Sequence, residues 1–209
     1  MVEVKIMLYS VSEYSAGMVS TLFWWSETQK VAALLINNIE KDELVKQAVD
    51  ENIFAVKAID RRKRILNLAL RRLSALSNEI VDLLAKSDYR TAKIIVLISI
   101  MCTDKLFFEY CYEVYNKNII TGKLNITDED TNRFFNEKIG NSERVAKFSV
   151  SAIYKLKQTY AKMLYEAGVL SDSTNNREIV IPFIEDELFE ACRKSNLLIY
   201  VDVLLGRSN

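Results

Sequence analysis

Seven cationic side chains crowd the stretch Lys57–Leu73 (KAIDRRKRILNLALRRL): Lys57, Arg61, Arg62, Lys63, Arg64, Arg71 and Arg72, with Asp60 as the one acid among them. Arginine offers a planar fork of donors that suits phosphate oxygens, so five arginines between 61 and 72 point to polyanion binding. At about 100° per residue, a helix here places Lys57, Arg61, Arg64, Arg71 and Arg72 within roughly 100° of arc. Ile65, Leu66, Ala69, Leu70, Leu73 and Leu76 fall on the other side. One face then buries while the other presents a row of cations, with Asp60 placed to cap the helix or offset its dipole. The competing reading of such a run is a solvated face of a core helix.

Other chemistry is scarce. The chain has no histidine, which removes histidine-based acid–base catalysis, triads that need a histidine base and most zinc sites. There is no glycine-rich phosphate loop or dinucleotide-binding turn, and no metal motif. Acid clusters at 128–130 and 185–187 stand where helices begin, and dipole complementarity accounts for them. Neither enzyme activity nor a cofactor or metal is expected. Cys102, Cys111 and Cys192 are widely spaced, without a C-x-x-C pair, which suits buried thiols in a reducing cytoplasm. Lys+Arg and Asp+Glu are equal at 28 each, so any polyanionic partner must be held by a local patch. Residues 172–190 carry six acids against Arg177 and would repel such a partner.

The elements that position these residues read as helices. Five Gly and one Pro in 209 residues favour long helices over a many-turned β fold. Periodicity places helices over Ser20–Asn37 (stopping at Asn37-Asn38), Asp42–Asp50, the basic stretch to about Ser77, Asn78–Lys86, Arg90–Met101 and Asp104–Lys117. Thr127 opens another with Asp130 at the capping-box position, ending near Gly140. Ser142–Gly168 is a second long amphipathic helix. Val145, Phe148, Ala152, Leu156, Tyr160, Met163 and Ala167 share its inner side, and Arg144, Lys147, Ser151, Lys155, Gln158 and Lys162 share the outer. A short β-hairpin is expected near 169–181, then helices over Ile184–Lys194 and Leu197–Leu205. Ile94–Met101 is the strongest apolar run but falls far short of the roughly 20 residues of a membrane span, so it reads as a core helix. The opening MVEVKIMLYS lacks the apolar core and cleavage site of a secretion signal. Trp24 and Trp25 are adjacent, and on a helix cannot both face one core. Packing is the first reading of the pair and stacking on a base the second.

Several short motifs, taken in order, resemble the BrxA family, small proteins encoded with BREX bacteriophage-defence systems. They are Tyr14–Gly17 (YSAG), Glu51–Phe54 (ENIF) leading into the basic helix that ends Arg72-Leu73, the apolar Ile94–Met101, Phe134-Phe135, and Leu164–Leu170 (LYEAGVL). The likeness spans about 12–205. It implies one all-α, compact multi-helix bundle similar to the antitermination factor NusB, with any subdivision near 118–126. It also implies a non-enzymatic DNA-binding protein, while the cysteines and the hydropathy, rather than the likeness, favour the cytoplasm and no membrane partner. Double-stranded DNA is the expected partner, with RNA the alternative that the NusB likeness keeps alive. Other BREX proteins are the partners if the chain is a scaffold, and the sequence leaves the oligomeric state open. The expected DNA-binding set is Lys57, Arg61, Arg62, Lys63, Arg64, Arg71 and Arg72, joined by Arg144, Lys147, Lys155 and Lys162.

Overall fold

A computed structural model describes residues 13–37 and 39–208. The opening decapeptide and Asn38 lie outside the described residues, and so do the expectations placed on them. After a 3-10 turn at Gly17–Ser20 the chain forms α1 (Trp25–Leu35), α2 (Lys41–Val45), α3 (Ile59–Leu73), α4 (Asn78–Lys86), α5 (Tyr89–Thr103) and α6 (Lys105–Tyr110). There follow α7 (Lys117–Ile120), α8 (Asp128–Asn141), α9 (Glu143–Ala146), α10 (Val150–Ala167), α11 (Asp186–Lys194) and α12 (Leu198–Leu205). The protein is an all-α bundle, and among the described residues no strand forms.

The bundle is built on α5. Its side chains from Ile94 to Cys102 are all buried, and α1, α3, α4, α6, α10 and α12 pack around it. A helix that is apolar all round has no outward face, which is why Ile94–Met101 shows no helical period in its hydropathy. None of the described helices is long and apolar enough to cross a membrane. A second centre joins α6, α8 and α10. Tyr160 meets Phe107 edge-on at 5.0 Å between ring centroids and Tyr110 at 5.3 Å, and Tyr110 meets Phe134 at 5.3 Å. The two edge-to-face pairs, Phe107–Tyr160 and Tyr110–Phe134, add about 0.5–1.5 kcal/mol each beyond the area they bury, and Tyr110–Tyr160 is tilted.

Local chemistry sets the helix boundaries. Thr127 and Asp130 form the expected capping box, with each side chain accepting from the other's backbone N–H. Ser77, Asp88, Asp104, Ser142 and Ser149 each accept a first-turn N–H. Gly168 ends α10 at φ +84°, as its position implied. Between α6 and α7 the backbone widens into a π-helical turn over Cys111–Asn116.

Three sequence expectations are corrected. The first long helix begins at Trp25 rather than Ser20, because Trp24 adopts a left-handed backbone (φ 45°, ψ 47°). The Ser142–Gly168 helix is two helices, because Ser149 is extended and caps α10 through Ala152 N–H at 3.1 Å. The hairpin over 169–181 contracts to a Leu170–Ile179 bridge, and Glu178 bridges separately to Asn125. Single bridges suffice there because Tyr115 Oη donates to Val180 O and Ile179 N–H donates to Leu124 O, which anchors the segment to the bundle.

Asp104 caps α6 through Phe107 N–H at 2.9 Å while lying 6 % exposed. Burial pushes its carboxyl up to about 6, against that hydrogen bond and the nearby Arg71. A carboxyl whose folded pKa lies above its unfolded value stabilises the fold fully below about pH 4, and that contribution is lost as pH rises through about 6. Asparagine retains the capping oxygen without the charge. Asp104→Asn is therefore expected to raise stability by about 1–3 kcal/mol at pH 7.5 and to change little at pH 4. Urea melts at the two pH values check this, and equal effects at both would contradict it.

Candidate nucleic-acid interface

The basic stretch is presented by α3 and by the connector that leads into it. Asn52 and Ala55 stand at φ 59° and φ 55°, and Asn52 Oδ1 accepts Val56 N–H at 2.9 Å, which turns the chain sharply into the helix. The N-cap is Ala58, whose side chain accepts nothing. Asp60 therefore does not cap α3. It lies in the first turn, where a carboxylate complements the helix dipole. Ile65, Leu66, Ala69 and Leu73 are buried against α1 and α5, as the wheel requires, and Leu70 is half-buried.

The structure divides the seven cations. Lys57, Arg61, Lys63, Arg64 and Arg71 are exposed, and Arg71 Nη2 also donates to Thr103 O at 2.7 Å. Arg62 and Arg72 are corrections to the expected set. Arg62 is half-buried and donates to Val49 O at 2.8 Å and Lys57 O at 3.1 Å, and its Nε donates to Val56 O. It straps the connector to the helix start. Arg72 is 1 % exposed, and its guanidinium donates to Phe23 O and to Leu22 O. Burial, with Arg71 beside it, pushes that guanidinium down to about 9, against Glu27. Arg72 satisfies a carbonyl, that of Phe23, that would otherwise be orphaned inside the protein, whereas Arg62 ties down carbonyls nearer the surface.

The second cationic line is interrupted. Arg144 belongs to α9, where it pairs with Glu13 and donates to Tyr14 O, and Lys147 lies in the link before α10. Lys155 and Lys162 are exposed on α10, and Lys162 stands 3.6 Å from Glu166. The outer face of α10 also exposes Val150 and Tyr154, so it is less polar than the alternation of lysines suggested.

Sequence reasoning passed over one further polar site. The π-helical turn borders a cleft lined by Glu113, Lys117, Lys123, Asp130 and Arg133. Burial raises the Asp130 carboxyl, but Lys123 at 2.5 Å and the Thr127 N–H and hydroxyl outweigh it and hold it well below the usual range. Arg133 at 2.9 Å completes the set, and with Glu129 and Glu137 also on the lining, four acids face three cations, so the cleft offers no cationic surface to a phosphate.

Comparison with known sequences decides the family. The BrxA family profile matches residues 12–196. The chain belongs to the BrxA family. A BREX protein BrxA of Bacillus cereus (strain H3081.97) is 37% identical over 193 residues, covering 92% of this chain and 96% of that protein. A BREX protein BrxA of Escherichia coli O9:H4 (strain HS) is 22% identical over 181 residues, covering 87% and 84%. In three dimensions the chain is similar to an uncharacterized protein from Magnetospirillum magneticum. The TM-score is 0.76 at 18% identity, covering 92% of this chain and 97% of that one. That likeness concerns the fold. The YSAG motif of this BrxA-family chain leads into the 3-10 turn, which packs on α10, and the ENIF motif lies in the connector to α3.

Proposed function

We propose that the protein is a non-enzymatic component of a BREX phage-defence system that binds duplex DNA through phosphate contacts, chiefly from α3. One observation carries this reading. α3 turns Arg61, Lys63, Arg64 and Arg71 outward while its leucine side is locked into the bundle, so the cations are held at fixed positions on a rigid element. Lys57 extends the row, and Lys155 and Lys162 add charge from α10. Arg62 and Arg72 act beneath this surface by fixing the connector and the helix. The protein acts in the cytoplasm as one folded unit and contributes no catalytic group. Binding to phosphate positions a protein without reading sequence, so the interaction is tolerant of base sequence and steep in salt.

The experiment is a titration of fluorescent duplexes of unrelated sequence at 50 and 200 mM salt, with single-stranded DNA and duplex RNA alongside. Neutralising about four phosphates gives a log–log slope of about −3.6 and a loss of about 100-fold in affinity between those salts. Duplexes of different sequence should agree. Tighter binding to RNA would move the reading to RNA. No binding to any polymer, with retention of another BREX protein on the basic face, would replace the DNA reading with a scaffold.

A further inference from the structure

Trp24 and Trp25 are the chain's only tryptophans. Adjacent helical side chains diverge by about 100°. Here Trp24 stands in the left-handed region just before α1, and both tryptophans line one open cleft of about 550 Å³. Tyr165 from α10, Lys93 from α5 and the turn at Gly168 and Leu170 complete its walls. A left-handed backbone at a bulky residue is strained, and such strain concentrates at ligand clamps. Thr28 holds it in place, with its N–H and hydroxyl both donating to Trp24 O, at 3.0 and 2.7 Å.

The surroundings select the ligand. Lys93 Nζ lies 5.9 Å from the ring centroids of both Trp25 and Tyr89. Tyr89 and Tyr165 are exposed, and Arg90 lies over the Tyr89 ring. Trp24, Trp25 and Tyr165 thus line one cleft with Lys93, which suits a flat π-system linked to a negative charge. Glu27 and Glu166 also line the cleft, where their charge disfavours phosphate while their oxygens offer acceptors to exocyclic amino groups. We propose that the cleft binds an unpaired nucleobase, stacked among Trp24, Trp25 and Tyr165, with its phosphate at the rim near Lys93. A base within a duplex is stacked on both faces and cannot enter, so the ligand is a single strand, an extruded base or a free nucleotide. This site is separate from the duplex surface of α3.

The test reads tryptophan fluorescence directly. Purified protein is titrated with a ten-nucleotide single-stranded DNA, the matching RNA, AMP and a blunt duplex, at a salt concentration high enough to suppress phosphate-only binding. Saturable quenching by the single strands and by AMP, with at least 10-fold weaker quenching by the duplex, is expected. Quenching by DNA alone or by RNA alone supports the site and identifies the source of the base. Tyr165→Ala should weaken single-strand binding by about 10-fold. Its exposed side chain makes folding of this variant expected, and a matching far-ultraviolet spectrum and melt verify it. The Arg61→Glu/Arg64→Glu/Arg71→Glu variant should still be quenched by AMP, which separates this cleft from the α3 surface. Absence of quenching, equal quenching by the blunt duplex, or unchanged affinity in Tyr165→Ala would each overturn the proposal.

Discussion

Arg72→Ala is expected to cost the fold about 3–5 kcal/mol while leaving the DNA affinity of the folded fraction unchanged. The side chain is buried, and its guanidinium holds the carbonyls of Leu22 and Phe23 just before α1. Removing it leaves both carbonyls unpaired, at about 1–3 kcal/mol each, and opens a void the size of an arginine between α1 and α3. Typical domain stability is about 5–15 kcal/mol, so the loss should be plain in a urea melt. Arg72→Met restores much of the volume but not the donors, and should recover only part of the loss. The opposite pattern, an unchanged melt with weakened DNA binding, would return Arg72 to the surface set.

The second large effect is on binding. Arg61→Glu, Arg64→Glu and Arg71→Glu combined should weaken duplex binding by about 10²–10³-fold at 100 mM salt. The log–log salt slope should flatten by about 2.7, which is 0.9 for each phosphate no longer neutralised. The loss should be the same on unrelated sequences, because phosphates carry no base information. Reversal at Arg61 and Arg64 should change stability by no more than about 0.5 kcal/mol each. Arg71 also donates to Thr103 O, so its reversal adds about 1 kcal/mol of destabilisation. Anisotropy titrations across salt, with a melt of the same sample, separate the two effects. A triple variant that binds with wild-type affinity and slope would leave α3 as a solvated or protein-facing surface.

These two predictions divide what the sequence could convey from what it could not. The helical class was legible because breakers are few and the apolar period is strong, and Thr127, Asp130 and Gly168 announce their caps through side-chain chemistry. The basic face was legible only in outline. On the wheel Arg72 lies seven residues beyond Ile65, which is two turns less about 20°, so it shares the buried side. The charge of the side chain concealed that geometry. Arg62 likewise falls between Ile65 and Leu66 on the way to Ala69 and Leu73. Its inward turn depends on carbonyls of a connector whose left-handed Asn52 and Ala55 carry no glycine signal. The break before α10 was open to view in Ser149, a good cap inside an otherwise continuous pattern. The left-handed Trp24 and the π-helical turn are set by tertiary packing, and no local residue preference reports them.

The burial of α5 on every side from Ile94 to Cys102 has a consequence for motion. Elements with an outer face can loosen one at a time, as their hydrogen bonds reach water without disturbing their neighbours. The amides of residues 94–102 have no such route, since α1, α3, α4, α6, α10 and α12 would all have to part from them. Their exchange with deuterium should require opening of the entire molecule, whereas the connector before α3 exchanges through local fluctuation. The apolar centre thereby acts as a stationary mount, against which the cationic helix keeps its orientation while the chain around it breathes.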